Sequence, residues 1–412
     1  MRPNRGNGKL NSQGHGKQFS HGRGKQKSHG QGKWNSHNYR LTLVSFKYIV
    51  SPDGETINMM KHYFEKNLVS SAEVRLNSVL GVIPFVELKG SKTNVRIGGN
   101  IFDLVVDAVV SGRPMKFVTE IKTQAEPRFA RMTALQLQSR VQTIENGFGI
   151  LVAPYISAAA VQVCREAGIG CMDLSGNVFL SFGNVFIQKS GLPNAFPEAR
   201  PLKSLFSPKT SRVLRALLSD PSKGWHVEEL SRAVDISLGL ASKAKQALLS
   251  QEWIKEEGRR VILLKPLELL EEWARDYTYK KSGLFSFYSG LSEQSLETAI
   301  KDECEKSGYR YGLALFSGAR RVAPFVRFPK FFSYVEGSIA DIAEVLRLKK
   351  VESGANVTLL EPYDAGVFQG LREISGMNVV SDLQLYLDLK SFGARGEEAA
   401  QAIFEQRIKP SW

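Results

Sequence analysis

The chain has 412 residues, with 55 Lys and Arg against 41 Asp and Glu, a net charge of +14 and a hydrophobic content of 42%. That length suits about three domains with real cores, so a small disulfide-stapled scaffold is excluded. Cys164, Cys171 and Cys304 are the only cysteines, an odd number without zinc-ligand spacing, which implies a reducing cytoplasm and no structural metal.

Residues 1–38 carry eight basic side chains and no acid, so the rest of the chain holds only +6. Ser20 to Lys27 and Ser28 to Asn35 form an eight-residue repeat, and His15, His21, His29 and His37 fall in the same stretch. With little to bury, this Gly/His/Lys-rich segment is expected to be a disordered basic tail, and phosphate contact is a more ordinary role for it than metal binding. It lacks the apolar core of a secretory signal, and Gly147 to Val163 is too short and too interrupted to span a membrane. A cytoplasmic protein with no membrane partner is expected.

Residues 39–191 read as an α/β domain. A helical pattern covers Ile57 to Leu68, followed by strands at Val82–Leu88, Phe102–Val110 and Lys116–Lys122, the last two joined as a hairpin through Ser111-Gly112-Arg113-Pro114. A helix from about Phe129 to Glu145, a strand at Ile150–Val152, a helix at Ala158–Ala167 and a strand at Val178–Ile187 complete it. Pro193, Pro197, Pro201 and Pro208 mark 192–208 as a linker. Residues 209–276 are helical and end in a short strand pair. Residues 277–412 return to mixed α/β, with strands at Gly312–Phe316, Phe325–Phe328, Phe332–Val335 and Val357–Leu360 and a last helix near Glu397–Gln406.

Within 209–276 the local signals agree. Helices are expected at Arg212–Leu218, Val227–Val234 and Leu238–Leu249, with Asp235-Ile236 as a tight turn and Ser237 as an N-cap. Glu256-Glu257-Gly258-Arg259-Arg260 then forms the charged tip of a β-hairpin. Three helices and a hairpin in this order resemble a winged helix-turn-helix. A 100° projection puts Leu240, Ala241, Ala244 and Leu248 on one side of the third helix and Gly239, Ser242, Lys243 and Gln246 on the other. Ser237, Gly239, Ser242, Lys243, Lys245, Gln246, Arg259 and Arg260 are therefore the candidate DNA-binding residues. Gln suits adenine edges, and the basic residues suit phosphates.

A second cluster invites enzymology. Alternation puts Asp103 and Asp107 on one face of their strand, and Glu120 and Lys122 on one face of theirs. Asp103 and Glu120 could hold Mg²⁺ while Lys122 orients water, with Gln136 nearby on the next helix. Asp103 with Glu120-Ile121-Lys122 resembles the PD-(D/E)xK restriction-endonuclease-like superfamily, which implies that fold for the first domain and Mg²⁺ as cofactor only if the site is a nuclease. Otherwise no cofactor is expected. Ser317-Gly318-Ala319 lacks the spaced carboxylates of a nucleotidyltransferase, and Asp173-Leu174-Ser175-Gly176-Asn177 reads as a turn held by its own polar side chains.

The order of parts carries a wider resemblance. Glu120-Ile121-Lys122, Gly168 to Asn177, the three helices with their hairpin, Phe316-Ser317-Gly318-Ala319, Leu383 to Leu389 and Arg395 to Ala400 together resemble the AbiEi-type antitoxin and transcriptional-regulator family, over about Leu80 to Gln406. That resemblance implies a DNA-binding autoregulator with double-stranded DNA as partner, and a cognate toxin of the nucleotidyltransferase class. The alternatives are a metal-dependent nuclease targeted by the winged helix, and an interaction module with secondary DNA binding.

Overall fold

The structure, a computed structural model, describes residues 54–196, 205–323 and 328–412. The basic tail, residues 197–204 of the proline-rich linker and residues 325–327 of the expected Phe325–Phe328 strand lie outside the described residues. Lys61–Trp412 packs as one compact unit.

The first sheet has seven strands in chain order, β1 (Val86–Ile97), β2 (Asn100–Val110), β3 (Arg113–Ile121), β4 (Gly147–Ala153), β5 (Gly170–Asp173), β6 (Val178–Phe182) and β7 (Val185–Lys189). The β1–β2–β3 meander is antiparallel, β3, β4 and β5 run parallel, and β5–β6–β7 is antiparallel again. The two parallel steps require crossovers, supplied by α2 (Pro127–Val141) and α3 (Ala158–Glu166). Both helices cover one face through Ala130, Ala134, Leu137, Ala160 and Val163. Helix α1 (Gly54–Gly81) covers the other through Ala72, Leu76 and Leu80, one every fourth residue.

Several expected boundaries move. Helix α1 continues to Gly81, beyond the expected Leu68, because its apolar stripe passes through Ala72. Val82 is 76% exposed and lies in a turn, so the first strand starts at Val86, and Gly98-Gly99, both with positive φ, close an unexpected β1–β2 hairpin. The expected single strand Val178–Ile187 is two strands, split at Gly183-Asn184, where Gly183 has a φ of 51°.

After Leu205 come α4 (Pro208–Ser219), the short strand β8 (Trp225–His226), α5 (Val227–Ala233), α6 (Leu238–Ser250) and the hairpin β9 (Ile254–Glu257) with β10 (Arg260–Leu263). The sheet order is β8-β10-β9. The segment does not end on the strand pair: α7 (Pro266–Asp276) follows, starting with Pro266 in its first turn and burying Leu269, Leu270 and Trp273.

The second seven-stranded sheet is mixed. Its order is β14 (Lys349–Lys350), β11 (Gly283–Tyr288), β15 (Val357–Glu361), β13 (Phe331–Glu336), β12 (Arg310–Leu313), β17 (Met377–Val379) and β16 (Arg372–Ile374). Helices α8 (Glu293–Ser307), α9 (Leu315–Val322), α10 (Ile339–Val345), α11 (Asp382–Lys390) and α12 (Arg395–Ile403) complete this part. Phe316, expected in a strand, is in α9: the strand ends at Leu313, and Leu315 turns the chain with a φ of 45°. Gly318 accounts for the local motif, since a Cβ there would come within 2.7 Å of the Leu313 carbonyl oxygen and 2.6 Å of Leu385. Ser317 Oγ accepts the Phe332 N–H at 2.9 Å, and Arg321 pairs with the buried Glu297 at 2.5 Å, so this run serves packing.

One set of buried apolar residues runs from Leu205 to Ile408, joining the helix–hairpin segment to the second sheet without a gap. At that junction Arg215 is buried, its guanidinium 5.0 Å from the Trp273 ring centroid and donating to Gln384 at 2.6 Å. Gln384 Nε2, Tyr277 and Tyr334 all donate to Asp388 Oδ1, at 2.6, 2.6 and 3.1 Å. Burial pushes the Asp388 carboxyl up to about 7 against the pull of those donors and of Arg215.

Candidate nucleic-acid interface

Helix α6 starts where its sequence says it should. Ser237 Oγ accepts the Leu240 N–H at 3.2 Å, and Asp235, with a φ of 50°, makes the bend that separates α5 from α6. Ala241, Ala244, Leu248 and Leu249 are buried. On the opposite side Gly239, Lys243 and Gln246 are exposed and Ser242 is half-buried. Among the described residues a Cβ at Gly239 would meet nothing within 4 Å, so the helix lies open at this position. Leu240, expected with the core residues, is only half-buried, and Leu238 is 48% exposed at the first turn.

The hairpin is tight. Glu257 and Arg260 are its closing pair, and Gly258-Arg259 is a two-residue loop in which Gly258 takes a φ of 61°. A positive φ at the first loop position matches the twist of the flanking strands. Arg259 and Arg260 are both exposed, and neither has an ion-pair partner among the described residues. The acids beside them are occupied: Lys245 Nζ reaches Glu256 at 2.8 Å and Lys255 reaches Glu257. Lys245 is thus engaged within the fold, whereas Lys243, Arg259 and Arg260 are in no ion pair among the described residues. An exposed helix face, tied to the hairpin through Lys245 and Glu256, together with hairpin cations unpaired among the described residues, can place short polar side chains on base edges and cations on phosphates.

Two arginines on the adjoining elements escaped the sequence reading. Arg131 of α2 clamps Glu252, just after α6, with two hydrogen bonds of 2.8 and 3.0 Å. Arg212 of α4 spans Asp364 and the α5–α6 bend. Neither has a sequence signal beyond a charge in a helix, because the carboxylates they fork onto, Glu252 and Asp364, are more than a hundred residues away.

The carboxylate cluster lies on the α2 and α3 face of the first sheet. Extending the β2–β3 register sets Asp103 opposite Glu120, as alternation requires. Asp103 Oδ2 accepts the Ile121 N–H at 2.7 Å, and burial raises its carboxyl above the ordinary range, helped by Glu120 and opposed by that N–H, Lys122 and Arg140. Glu120 is buried with both oxygens taken, Oε1 by Arg140 at 2.5 Å and Oε2 by Lys122 at 2.9 Å. Asp107 is drawn off to Lys116, its cross-strand neighbour. Gln136 is exposed one turn before Arg140 and has no hydrogen bond to the carboxylates among the described residues.

This arrangement does not fit a divalent cation. Hard cations need several free oxygen ligands, and here Glu120 has two cations on it already. Among the described residues, no three His, Cys, Asp or Glu side chains are grouped to hold a metal. Asp173 is buried and accepts from the N–H groups of Ile156, Gly176 and Asn177 at 3.1, 2.7 and 2.8 Å, so it builds its turn. A cavity of about 340 Å³ lined by Gln138, Gln142, Asn146 and Gly168 opens at the start of β4, the opposite strand end from Glu120.

Residues 261–409, a little over a third of the chain, match the family described as a transcriptional regulator, AbiEi antitoxin, of type IV toxin–antitoxin systems. The match begins in β10 and runs through α7 and the second sheet to beyond α12. No curated protein matches the chain. Among solved structures, EndoMS in its apo form aligns at 22% identity and a TM-score of 0.19, over 26% of this chain and 45% of that one. The EndoMS–dsDNA2 complex aligns at 21% identity and a TM-score of 0.17, over 30% of this chain and 46% of that one. The chain spans less than half of either. Among the described residues no helix is long and apolar enough to cross a membrane.

Proposed function

We propose that the protein is a DNA-binding transcriptional regulator of the AbiEi antitoxin kind, which reads duplex DNA with a winged helix-turn-helix at residues 209–276 and represses its own operon. The observation that carries this reading is the exposed Gly239, Lys243 and Gln246 face of α6 together with the exposed Arg259 and Arg260, which are in no ion pair among the described residues. The family match over 261–409 supports the regulator and antitoxin part. On this reading 39–191 is a restriction-endonuclease-like fold used for binding or support, 277–412 is the antitoxin-like domain, and a nucleotidyltransferase-type toxin is the second partner.

Selection from a random duplex library tests it. The wild type should enrich one sequence, and Gln246→Ala should relax the preference at one or two positions, with about 1–3 kcal/mol less discrimination. An unenriched library would refute the reading. The nuclease alternative has no comparable support, since Lys122 and Arg140 hold the carboxylate that a metal would need.

A further inference from the structure

Arg212 makes contacts that its place in an apolar helix does not explain. Its guanidinium is largely buried and forks onto Asp364, Nε to Oδ1 at 2.7 Å and Nη2 to Oδ2 at 2.8 Å. The remaining nitrogen, Nη1, points the other way, donating to the carbonyls of Val234 and Asp235 at 3.4 and 3.3 Å, with the Asp235 carboxylate at 3.7 Å. Those carbonyls end α5 and form the bend into α6. A cation there also complements the negative end of α5. Asp364 is held in turn by the Gly366 N–H at 2.7 Å, and Gly366 packs so closely that a Cβ would lie 2.9 Å from Arg212 Cγ. Burial would raise the Asp364 carboxyl, yet Arg212 and that N–H outweigh it and hold it below its usual value.

One side chain thus links three places: the first helix, the bend before the exposed helix, and a loop following β15 of the second sheet. The bend is strained, since Asp235 takes a left-handed φ of 50° without being glycine. A strained bend keeps its angle only when its surroundings hold it. Gln246 lies nine residues along α6 from Ser237, about 13 Å at 1.5 Å per residue, so a tilt of about 5° at the bend moves it by roughly 1 Å. A base-edge hydrogen bond weakens steeply over that displacement.

We propose that Arg212 is a positioning residue for DNA recognition, which fixes the angle of α6 by bracing the α5–α6 bend on Asp364. The second sheet thereby takes part in reading DNA without touching it. This rests on the DNA-binding reading above.

The test uses the full chain, the duplex enriched by the wild type and an unrelated duplex of equal length. Arg212→Gln, Asp364→Asn, the double variant and Arg212→Lys are compared well below their melting temperatures. Arg212→Gln leaves a buried carboxylate unpaired, so Asp364→Asn and the double variant guard against misfolding. Each single change should weaken binding to the enriched duplex about tenfold and leave the unrelated duplex and the salt slope unchanged. The double variant should be no worse than either single, and Arg212→Lys should not rescue, because an ammonium cannot fork. Amide exchange over residues 234–240 should quicken in every variant. Unchanged affinity and exchange in folded variants would overturn the proposal, as would losses that add in the double variant. A wild type without sequence preference would remove the reading beneath it, and unchanged exchange would then separately remove the brace.

Discussion

Replacing Arg259 and Arg260 with alanine removes two exposed cations that no side chain of the described fold neutralises. Each cation resting on a phosphate contributes about 0.9 to the slope of log affinity against log salt, so the pair contributes about 1.8. Between 50 and 200 mM salt, a fourfold change, a slope loss of about 1.8 corresponds to about 12-fold. The wild type should therefore lose roughly 12-fold more affinity than the double variant over that range. Lys245→Ala is the control: its charge is held by Glu256 at 2.8 Å, and its removal should leave the slope unchanged. Fluorescence anisotropy on one labelled duplex at five salt concentrations measures all three proteins. If the Arg259→Ala/Arg260→Ala slope equals that of the wild type, the hairpin does not meet phosphate and the argument from unpaired charge fails.

Other outcomes follow from individual contacts. Ser237→Ala removes the oxygen that caps α6 and should lower stability by about 1 kcal/mol in urea unfolding, with an unchanged midpoint contradicting the cap. The Asp388 carboxyl is raised to about 7, so its contribution to stability is complete below the unfolded pKa and is lost as pH rises through about 7. The wild-type melting temperature should consequently fall more between pH 6 and 8 than that of Asp388→Asn, and parallel curves would contradict this. Manganese titrations followed by electron paramagnetic resonance should give equal weak binding for the wild type and Glu120→Gln, whereas Arg140→Ala, which frees a Glu120 oxygen, should bind more tightly. Wild-type binding that Glu120→Gln abolishes would show that Arg140 does not block the site.

The three-helix and hairpin segment was legible because its signals are local. The Ser237 cap, the Asp235 bend and the Gly258 turn each depend on neighbours within a few residues, and α6 begins at the expected Leu238. The Asp103–Glu120 juxtaposition was also legible, since strand alternation alone places both on one face. What surrounds those carboxylates was not. Arg140 reaches Glu120 from the following helix, and only the packing of α2 on the sheet decides that it, rather than Gln136, arrives there. Gly312–Phe316 misled for a related reason: its apolar run fits a strand until Leu315 turns the chain and Gly318 lets the helix approach the Leu313 carbonyl. Arg212 and Arg215 sit among Val213, Leu214 and Leu217, and their partners Asp364 and Gln384 become neighbours only when the second sheet forms.

The decisive experiment is a photo-crosslink from α6. A benzophenone amino acid is placed at position 246, on the exposed face, and for comparison at position 284, in β11 of the second sheet, each in the full chain with the enriched duplex. The account predicts an ultraviolet-dependent adduct from position 246 that unlabelled enriched duplex competes away, and none from position 284. Adducts from 284 but not 246 would place the duplex on another face and contradict the central claim.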